Sequence, residues 1–168
     1  MPADPKPKTD VPPETDGLSA PQGPGELGRL GRYKVVRQIG AGGMGVVYEA
    51  EDTALGRRVA LKVMRSAVAS RPTVRARFVR EARTHAAVSH ENVVTVYDVG
   101  EQNSVPYLAL EFLEGLPLDR WLSKTPRPSI SQVVRVGKEI ALGLAAAHAK
   151  GLVHRDIKPA NIWLEAPK

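Results

Sequence analysis

Eight consecutive residues, 154–161, bring a carboxylate, an ammonium group and an amide close together in the chain. Asp156 can accept a proton from a hydroxyl group, Lys158 can neutralise a phosphoryl group during its transfer, and Asn161 can offer an amide oxygen to Mg²⁺. If Asp156 stood alone, it would more simply cap a turn. We interpret His154 as a buried, hydrogen-bonded scaffold residue, because no second histidine lies at metal-ligand spacing. The segment therefore predicts phosphoryl-transfer chemistry.

A glycine cluster at residues 40–45, with the sequence GAGGMG, separates two segments rich in β-branched residues. Glycines let phosphate oxygens approach a backbone that has no Cβ in the way. The alternative is a tight hairpin turn in which glycine only supplies a positive φ. A dinucleotide-binding turn would open a helix, whereas residues 46–48 continue as a strand. The cluster therefore favours a hairpin folded over phosphates.

Lys62 lies in an apolar segment whose alternation places it on the same strand face as Ala60. An ammonium group in such a position requires an anion, and Glu81 on the following predicted helix is expected to pair with it. Two alternatives remain open. Lys62 can reach solvent from an edge strand, and Glu81 can pair with Arg77 or Arg80 on its own helix.

Five strands and one helix are predicted to position these side chains. Segments rich in β-branched and aromatic residues predict strands at residues 33–39, 46–50, 57–64, 93–99 and 107–112. After the third strand, Ser70 and Pro72 are start signals for a helix of about four turns. Its apolar residues recur every four positions, at Val74, Phe78, Ala82 and Ala86.

The period of the apolar pattern changes after residues 111–115, which we interpret as a connection between two structural halves. A long helix is predicted at about residues 129–149, with Ser129 or Ser131 as its N-cap. Strands followed by helices predict the α+β class. The apolar stripe of the long helix consists of Val133, Val136, Ile140, Leu144 and Ala147.

The composition is that of a soluble globular chain, with 42% hydrophobic and 25% charged residues among 168. No apolar run approaches the roughly 20 residues that a membrane helix needs, and no signal-peptide pattern begins the chain. The absence of cysteine excludes disulfides and thiolate metal sites and fits a cytoplasmic location. The net charge is +6, but the basic residues between Arg65 and Arg83 are spaced as on a solvated helix, so we expect no nucleic-acid binding.

The first 30 residues are rich in proline and glycine and poor in large apolar side chains. Half of the 14 prolines of the chain fall within the first 24 residues. Such a segment buries too little apolar surface to offset its ordering entropy. We therefore predict a disordered tail at residues 1–30.

The glycine cluster, the lysine strand, Glu81 and the 154–161 segment occur in an order that resembles the protein kinase family. The resemblance covers residues 33–168. It implies an N-lobe at residues 31–112, with a five-stranded antiparallel sheet and one helix, and the first part of a mainly helical C-lobe at residues 113–168. Lys158 resembles kinases that act on serine and threonine, and the glycine cluster resembles bacterial members. The implied ligands are ATP, Mg²⁺ and a protein with a Ser or Thr hydroxyl group.

The resemblance also implies a role for each residue of the motifs. Lys62, held by Glu81, would bind the α and β phosphates, and Asp156 would orient the substrate hydroxyl group, with Lys158 and Asn161 completing the catalytic set. Asn161 would also be the metal ligand. Under the same resemblance, Gly40, Gly42 and Gly45 would cover the phosphates. Ile39, Val47 and Ala60 would line the adenine pocket, Leu110 would occupy the gatekeeper position, and the backbones of Glu111 and Leu113 would bind the adenine edge. Trp163 falls beneath the adenine, where its indole either stacks on the ring or turns away.

The sequence departs from the family pattern after Asn161, because no Asp-Phe-Gly follows it before Lys168. Mg²⁺ would then have one neutral ligand from the protein, which is a poor site, and Arg155 would lack its usual phosphate partner. The predicted long helix would expose an apolar surface open to association. We therefore expect a serine/threonine kinase fragment with weak or no phosphotransfer, and keep two alternatives: a catalytically inactive nucleotide-binding module, and an interaction protein that needs a partner to complete its fold.

Overall fold

The computed structural model describes residue 15 and residues 17–125 and 127–166. These residues form an antiparallel sheet with two helices beside it, followed by a mainly helical part with a small second sheet. The strands are β1 (Gly28–Leu30), β2 (Tyr33–Ala41), β3 (Gly45–Asp52), β4 (Arg57–Met64), β5 (Val96–Gln102), β6 (Val105–Glu111), β7 (Gly115–Pro117) and β8 (Trp163–Glu165). The helices are α1 (Ser66–Ala69), α2 (Pro72–Ala86), α3 (Leu118–Lys124) and α4 (Ile130–Ala149), and a 3₁₀ turn covers Pro159–Asn161.

The larger sheet has the strand order β1-β2-β3-β4-β6-β5, and every neighbouring pair is antiparallel. All five strands predicted from the sequence are present, and the predicted α+β class is confirmed. The fourth predicted strand begins three residues late, at Val96 rather than at Val93. The N–H group of Val93 instead donates to the carbonyl of His90 in a turn, which delays the extended conformation.

The expectation of disorder over residues 1–30 is wrong for residues 17–30. β1 adds a sixth strand to the sheet by pairing with β2, and Ser19 forms a bridge with Arg29 on its other side. Leu30 is fully buried, and Leu18 and Leu27 pack against the core. The burial of these three leucines and the pairing with the open edge of β2 therefore order a segment whose composition predicted disorder. Residues 1–14 and 16 lie outside the described residues.

The core lies on one face of the sheet, and strand alternation decides which side chains enter it. In β4, Val59, Leu61 and Val63 are buried, whereas Ala60 and Lys62 lie half-buried on the opposite face. α2 begins with Pro72 at its first position and packs against the core through Phe78 and Ala82, two residues of the predicted stripe. Ala86, at the end of that stripe, is exposed.

The C-terminal part is built around α4 and the β7–β8 pair. Of the two predicted N-caps, Ser129 is the one that starts α4, because the Ser129 and Gln132 side chains form a reciprocal capping box. Of the predicted apolar stripe only Ala147 is buried, and Val133 is 56% exposed. The closest packing of α4 is at Gly143, where a Cβ would lie 2.6 Å from the carbonyl oxygen of Asn92. None of the helices in the described part of the chain is long and apolar enough to cross a bilayer.

A buried carboxylate ties the ends of β2, β3 and β4 together. Asp52 is fully buried, and its Oδ1 lies 3.2 Å from Nε of Arg32 and accepts a hydrogen bond from the N–H group of Ala54. Arg57 Nε lies 3.8 Å from the other carboxylate oxygen, Oδ2. Arg32 also reaches Asp98 of β5 at 3.3 Å. A charge in this position is stable only while these partners are present.

We expect Asp52→Ala to lower the free energy of unfolding by about 2 kcal/mol, because two guanidinium groups lose their shared carboxylate. Urea denaturation measures this change. Glu51→Ala is the matched control, since Glu51 is the neighbouring residue and is only half-buried; it should change the stability by less than about 0.5 kcal/mol. An equal effect of both substitutions would contradict the role of Asp52.

Candidate active site

The glycine cluster forms the tight end of the β2–β3 hairpin. The N–H group of Gly42 donates to the carbonyl of Gly45 at 2.9 Å, and nothing lies within 4 Å of a Cβ placed on Gly42 or Gly43. A Cβ on Gly45, by contrast, would collide with the carbonyl oxygen of Val63 in β4. None of the glycines of the cluster has a positive φ. Close approach, rather than a left-handed turn, therefore requires glycine at position 45.

Arg65, at the end of β4, binds this hairpin. This role of Arg65 was not predicted from the sequence. Its Nε donates to the carbonyl oxygen of Gly42 at 3.1 Å, and its backbone N–H donates to that of Met44 at 3.2 Å. The loop is thereby tied to the strand that carries Lys62. The sequence offered one indication of this role, namely the position of Arg65 directly after β4.

The predicted nucleotide-binding side chains share one face of the sheet. Val47 of β3 lies opposite Lys62 of β4, and Ala60 lies opposite Leu110 of β6. Directly paired residues of antiparallel strands point to the same side of the sheet. Ile39 lies at a bulge in β2, where the register shifts, and is 41% exposed. The register thus sets Val47, Ala60 and Leu110 on the same face of the sheet as Lys62.

The segment between β6 and β7 passes the edge of this face. Glu111 ends β6, its backbone N–H donates to Thr95, and Leu113 follows in the connection. Arg58 of β4 holds the connection, because its guanidinium lies 4.2 Å from the ring centre of Phe112 and 3.2 Å from Glu114. These contacts were not predicted. Trp163, predicted beneath the adenine, lies in β8 opposite Pro117 and is 42% exposed.

The predicted ion pair between Lys62 and Glu81 is absent. Glu81 instead pairs with Arg77 one helical turn earlier, with 2.8 Å between Nε and Oε1, and its side chain is 49% exposed. Among the described residues, Lys62 has no ion-pair partner. The alternative pairing within the helix forms because residues four apart on α2 meet without any movement of the helix against the sheet. Lys62 is left half-buried with its charge available to an anion.

The 154–161 segment is organised around Asp156. Nζ of Lys158 lies 2.9 Å from its Oδ2, and Nδ2 of Asn161 donates to the same oxygen at 3.0 Å and to the Asp156 carbonyl at 2.9 Å. The hydrogen bonds from Lys158 and Asn161 lower the pKa of Asp156 below its ordinary range. Asp156 is therefore ionised at neutral pH. Because Asn161 uses its amide nitrogen here, its Oδ1 faces no hydrogen-bond partner among the described residues.

His154 differs from its predicted role. Its Nδ1 accepts a hydrogen bond from the backbone N–H of Asp156 at 3.3 Å, so the expected scaffold contact is present, but the residue is exposed rather than buried. All of residues 153–161 are exposed in the described structure, so the difference concerns the whole segment and not His154 alone. Arg155 adopts a left-handed φ of 63°, an unfavourable conformation that turns the backbone sharply before Asp156.

A metal ion would find few ligands in the described residues. They contain no group of three or more His, Asp or Glu side chains arranged to hold one. Oδ1 of Asn161 is a suitable oxygen ligand for Mg²⁺, whereas the Asp156 carboxylate is already engaged by Lys158. The residues present therefore fit a magnesium ion only in part.

His85 lies near the site and was not identified from the sequence. It lies on α2 one turn after Glu81, and this spacing was the indication in the sequence that His85 lies near the site. Burial lowers the pKa of His85, a hydrogen bond with the backbone of Val94 opposes this, and the charges of His154 and Lys62 lower it further. His85 is therefore more readily neutral than an exposed histidine.

We expect the stability of the chain to fall as the pH drops below the ordinary histidine pKa of 6.5. Below that value the unfolded state binds a proton that folded His85 resists, so the free energy of unfolding decreases. In His85→Gln, the urea midpoint should depend less on pH between about 7.5 and 5.5 than in the unchanged chain. His148→Gln, at an exposed histidine of α4, should retain the original dependence. Identical pH profiles for the unchanged chain and His85→Gln would contradict this assignment.

Comparison with known proteins places this arrangement in a family. The model of the protein kinase domain matches residues 33–168. The chain is 43% identical over 136 residues to serine/threonine-protein kinase Pkn1 of Myxococcus xanthus, an alignment that covers 81% of this chain and 19% of that protein. It is 44% identical over 139 residues to serine/threonine-protein kinase PknA of Mycobacterium tuberculosis, covering 80% and 32%.

Solved structures agree with the sequence relatives. The crystal structure of the Mycobacterium tuberculosis PknI kinase domain is similar with a TM-score of 0.72 and 31% identity, over 82% of this chain and 57% of that one. The chain spans between about a fifth and a third of the length of the two curated relatives. The order of the motifs, the sheet and the 154–161 segment thus agree with independent matches, and the chain belongs to the protein kinase family.

Proposed function

We propose that this chain is the ATP-binding part of a serine/threonine protein kinase, which transfers the γ-phosphoryl group of ATP to a Ser or Thr hydroxyl group of a protein. The observation that carries the proposal is the organisation of the 154–161 segment. Asp156 is ionised and held by Lys158 and Asn161, while Oδ1 of Asn161 remains available to a metal. Both curated relatives described above are named serine/threonine-protein kinases, which supports the choice of hydroxyl substrate.

The low pKa of Asp156 defines what it can contribute. A weakly basic carboxylate orients a hydroxyl group by accepting its hydrogen bond, and takes the proton only as the hydroxyl oxygen bonds to phosphorus. The ammonium group of Lys158, 2.9 Å from that carboxylate, lies where it can offset negative charge on the transferred group. Asp156 therefore positions the hydroxyl group, and Lys158 of the same segment neutralises charge on the transferred phosphoryl group.

The β2–β3 hairpin and β4 account for nucleotide binding. Lys62 has no ion-pair partner among the described residues and would pair with the α and β phosphates, beneath the hairpin tip of Gly40, Gly42 and Gly45. Ile39, Val47 and Ala60 would contact the adenine ring, whose edge would meet the backbone of Glu111 and Leu113. ATP supplies the phosphoryl group when bound, and Mg²⁺ would be held by Asn161 Oδ1 together with phosphate oxygens.

The 168-residue chain by itself fits a second, more limited function. The described residues contain no group of three or more His, Asp or Glu side chains that could hold a metal ion, so Asn161 is the one neutral side-chain ligand that they offer to Mg²⁺. Asn161 alone stabilises the metal poorly. We therefore propose that the chain as given binds ATP but transfers its phosphoryl group weakly, which is the behaviour of a nucleotide-binding module.

Isothermal titration of the chain with ATP tests the proposal through Lys62→Met. We expect ATP to bind about tenfold more weakly or worse, because a charge-assisted contact to phosphate is lost, while adenosine binds as before. Asp156→Asn should leave ATP affinity unchanged within about threefold and should remove any weak transfer of radiolabelled phosphate to a basic test protein.

Lys34→Met is the matched control for this experiment, because Lys34 also lies half-buried in the same sheet but belongs to β2. It should bind ATP as tightly as the unchanged chain. ATP affinity that is equal in the unchanged chain and in Lys62→Met would show that the proposed phosphate site is wrong. Phosphate transfer that survives Asp156→Asn would show that the catalytic assignment is wrong.

A further inference from the structure

The connection between β6 and β7 is attached to neighbouring strands near both of its ends. The N–H group of Glu111 donates to the carbonyl of Thr95, which directly precedes β5, at 2.9 Å. The carbonyl of Glu114 accepts a hydrogen bond at 2.9 Å from the N–H group of Ala166, which directly follows β8. Leu113 lies between these two attachments, and its backbone is one of the groups that we propose to bind the adenine edge.

Arg58 lies at the end of β4 that borders this connection. It shares a strand face with Ala60 and Lys62, because alternate residues of a strand point to the same side. The next residue, Val59, pairs with Glu111 in the register of β4 and β6. Arg58 and Lys62 are four residues apart, or roughly 13 Å along the strand. Arg58 is therefore next to the segment proposed to meet adenine and distant from the lysine proposed to meet the phosphates.

Three contacts fix the side chain of Arg58. Its guanidinium lies 4.2 Å from the centre of the Phe112 ring, and its Nη1 donates to Oε1 of Glu114 at 3.2 Å. Its Nε lies 3.4 Å from Oε1 of Glu49 in β3, whose side chain is only 15% exposed. A planar guanidinium can stack on a ring and donate from its edge at the same time, which an ammonium group cannot do. Arg58 therefore ties the residues on both sides of Leu113 to β3 and β4.

The backbone of Leu113 is free to bind a ligand while its two neighbours are held. Within the part of the chain that the structure describes, its N–H group and its carbonyl take part in no hydrogen bond. Adenine offers both an amino donor and ring-nitrogen acceptors, so a backbone donor and acceptor match it. A segment that is already fixed loses less conformational entropy when a ligand binds. The contacts of Arg58 thus prepare Leu113 for the adenine edge.

We propose that Arg58 is a positioning residue for the adenine end of the ATP site: it holds Phe112 and Glu114 so that the backbone of Leu113 meets the base. The inference rests on the proposed function and adds a residue that was not among those predicted from the sequence. Exposed ion pairs contribute little to folding, so the loss of Arg58 should move the connection rather than unfold the chain. Its contribution is therefore separate from that of Lys62, which acts at the phosphates.

Isothermal titration with three ligands separates the two ends of the site. In Arg58→Met, which keeps the length of the side chain but removes the guanidinium, ATP and adenosine should each bind about fivefold more weakly. Inorganic tripolyphosphate should bind within about twofold of its affinity for the unchanged chain. Lys62→Met should show the reverse pattern, with weaker binding of ATP and tripolyphosphate and unchanged binding of adenosine.

Arg37→Met is the matched control, because Arg37 is also exposed and also pairs with Glu49 but has no contact with the connection among the described residues. It should bind all three ligands as the unchanged chain does. Phe112→Leu should weaken adenosine binding, and combining it with Arg58→Met should add little, because both substitutions remove the same contact. Fully additive losses would show that Arg58 acts independently of the connection and would overturn the proposal.

Hydrogen–deuterium exchange without any ligand gives a second measurement. Residues 112–114 should exchange faster in Arg58→Met than in the unchanged chain or in Arg37→Met. Unchanged affinities in Arg58→Met would overturn this inference alone, and so would a loss of tripolyphosphate binding as large as that of adenosine. An unchanged chain that binds neither ATP nor adenosine would overturn the proposed function, and this inference with it. The urea midpoint confirms that each variant is folded.

Discussion

The register of β4 between β3 and β6 is the constraint on which the rest of this structure depends. The backbone of β4 passes so close to Gly45 that a Cβ at this position would meet the Val63 carbonyl. A slip of one residue would turn Lys62 into the core and Leu61 out of it. The same register sets Val47 opposite Lys62 and so gives the sheet one buried face and one face that we propose receives a ligand.

Glu81 and Asp156, two acidic groups near the proposed active site, are paired with local partners rather than with distant ones. Glu81 is held by Arg77 within α2, and Asp156 is held by Lys158 within one short segment. Pairs of this kind are exposed and individually weak, so the binding of a phosphate group or of a metal can rearrange them at low cost. Lys62 is the exception, because its position comes from the sheet alone. The site therefore combines a lysine whose backbone is fixed by the sheet with acidic groups that are held by exposed local partners.

The sequence predicted best what depends on local periodicity. The strand at residues 57–64, the four-turn helix beginning at Pro72 and the cap at Ser129 were all located correctly, because alternation, apolar spacing and capping chemistry act over a few residues. Gly45 was predicted to let phosphate oxygens approach, whereas the close approach that the structure shows there is that of the Val63 carbonyl. The protein kinase family follows from the order of such motifs along the chain.

The errors concern placement in three dimensions. The partner of Glu81 depends on how α2 sits against the sheet, which no local pattern reports. Leu30 was assigned to a disordered tail because average composition hides three leucines that reach an open strand edge. His154 was expected to be buried, but burial depends on what packs over the segment and not on the segment's own sequence. Arg65 and His85 act through tertiary contacts that only the folded chain reveals.

The central claim is that the β2–β3 hairpin and the Lys62 face of β4 form a single phosphate-binding site. Hydrogen–deuterium exchange of the chain with and without ATP tests it most directly. The account predicts slower exchange at residues 40–47 and 60–63 when ATP is bound, with no change in β1 or in the turn between β5 and β6. Protection that is absent from the hairpin, or confined to the outer face of α2, would contradict it.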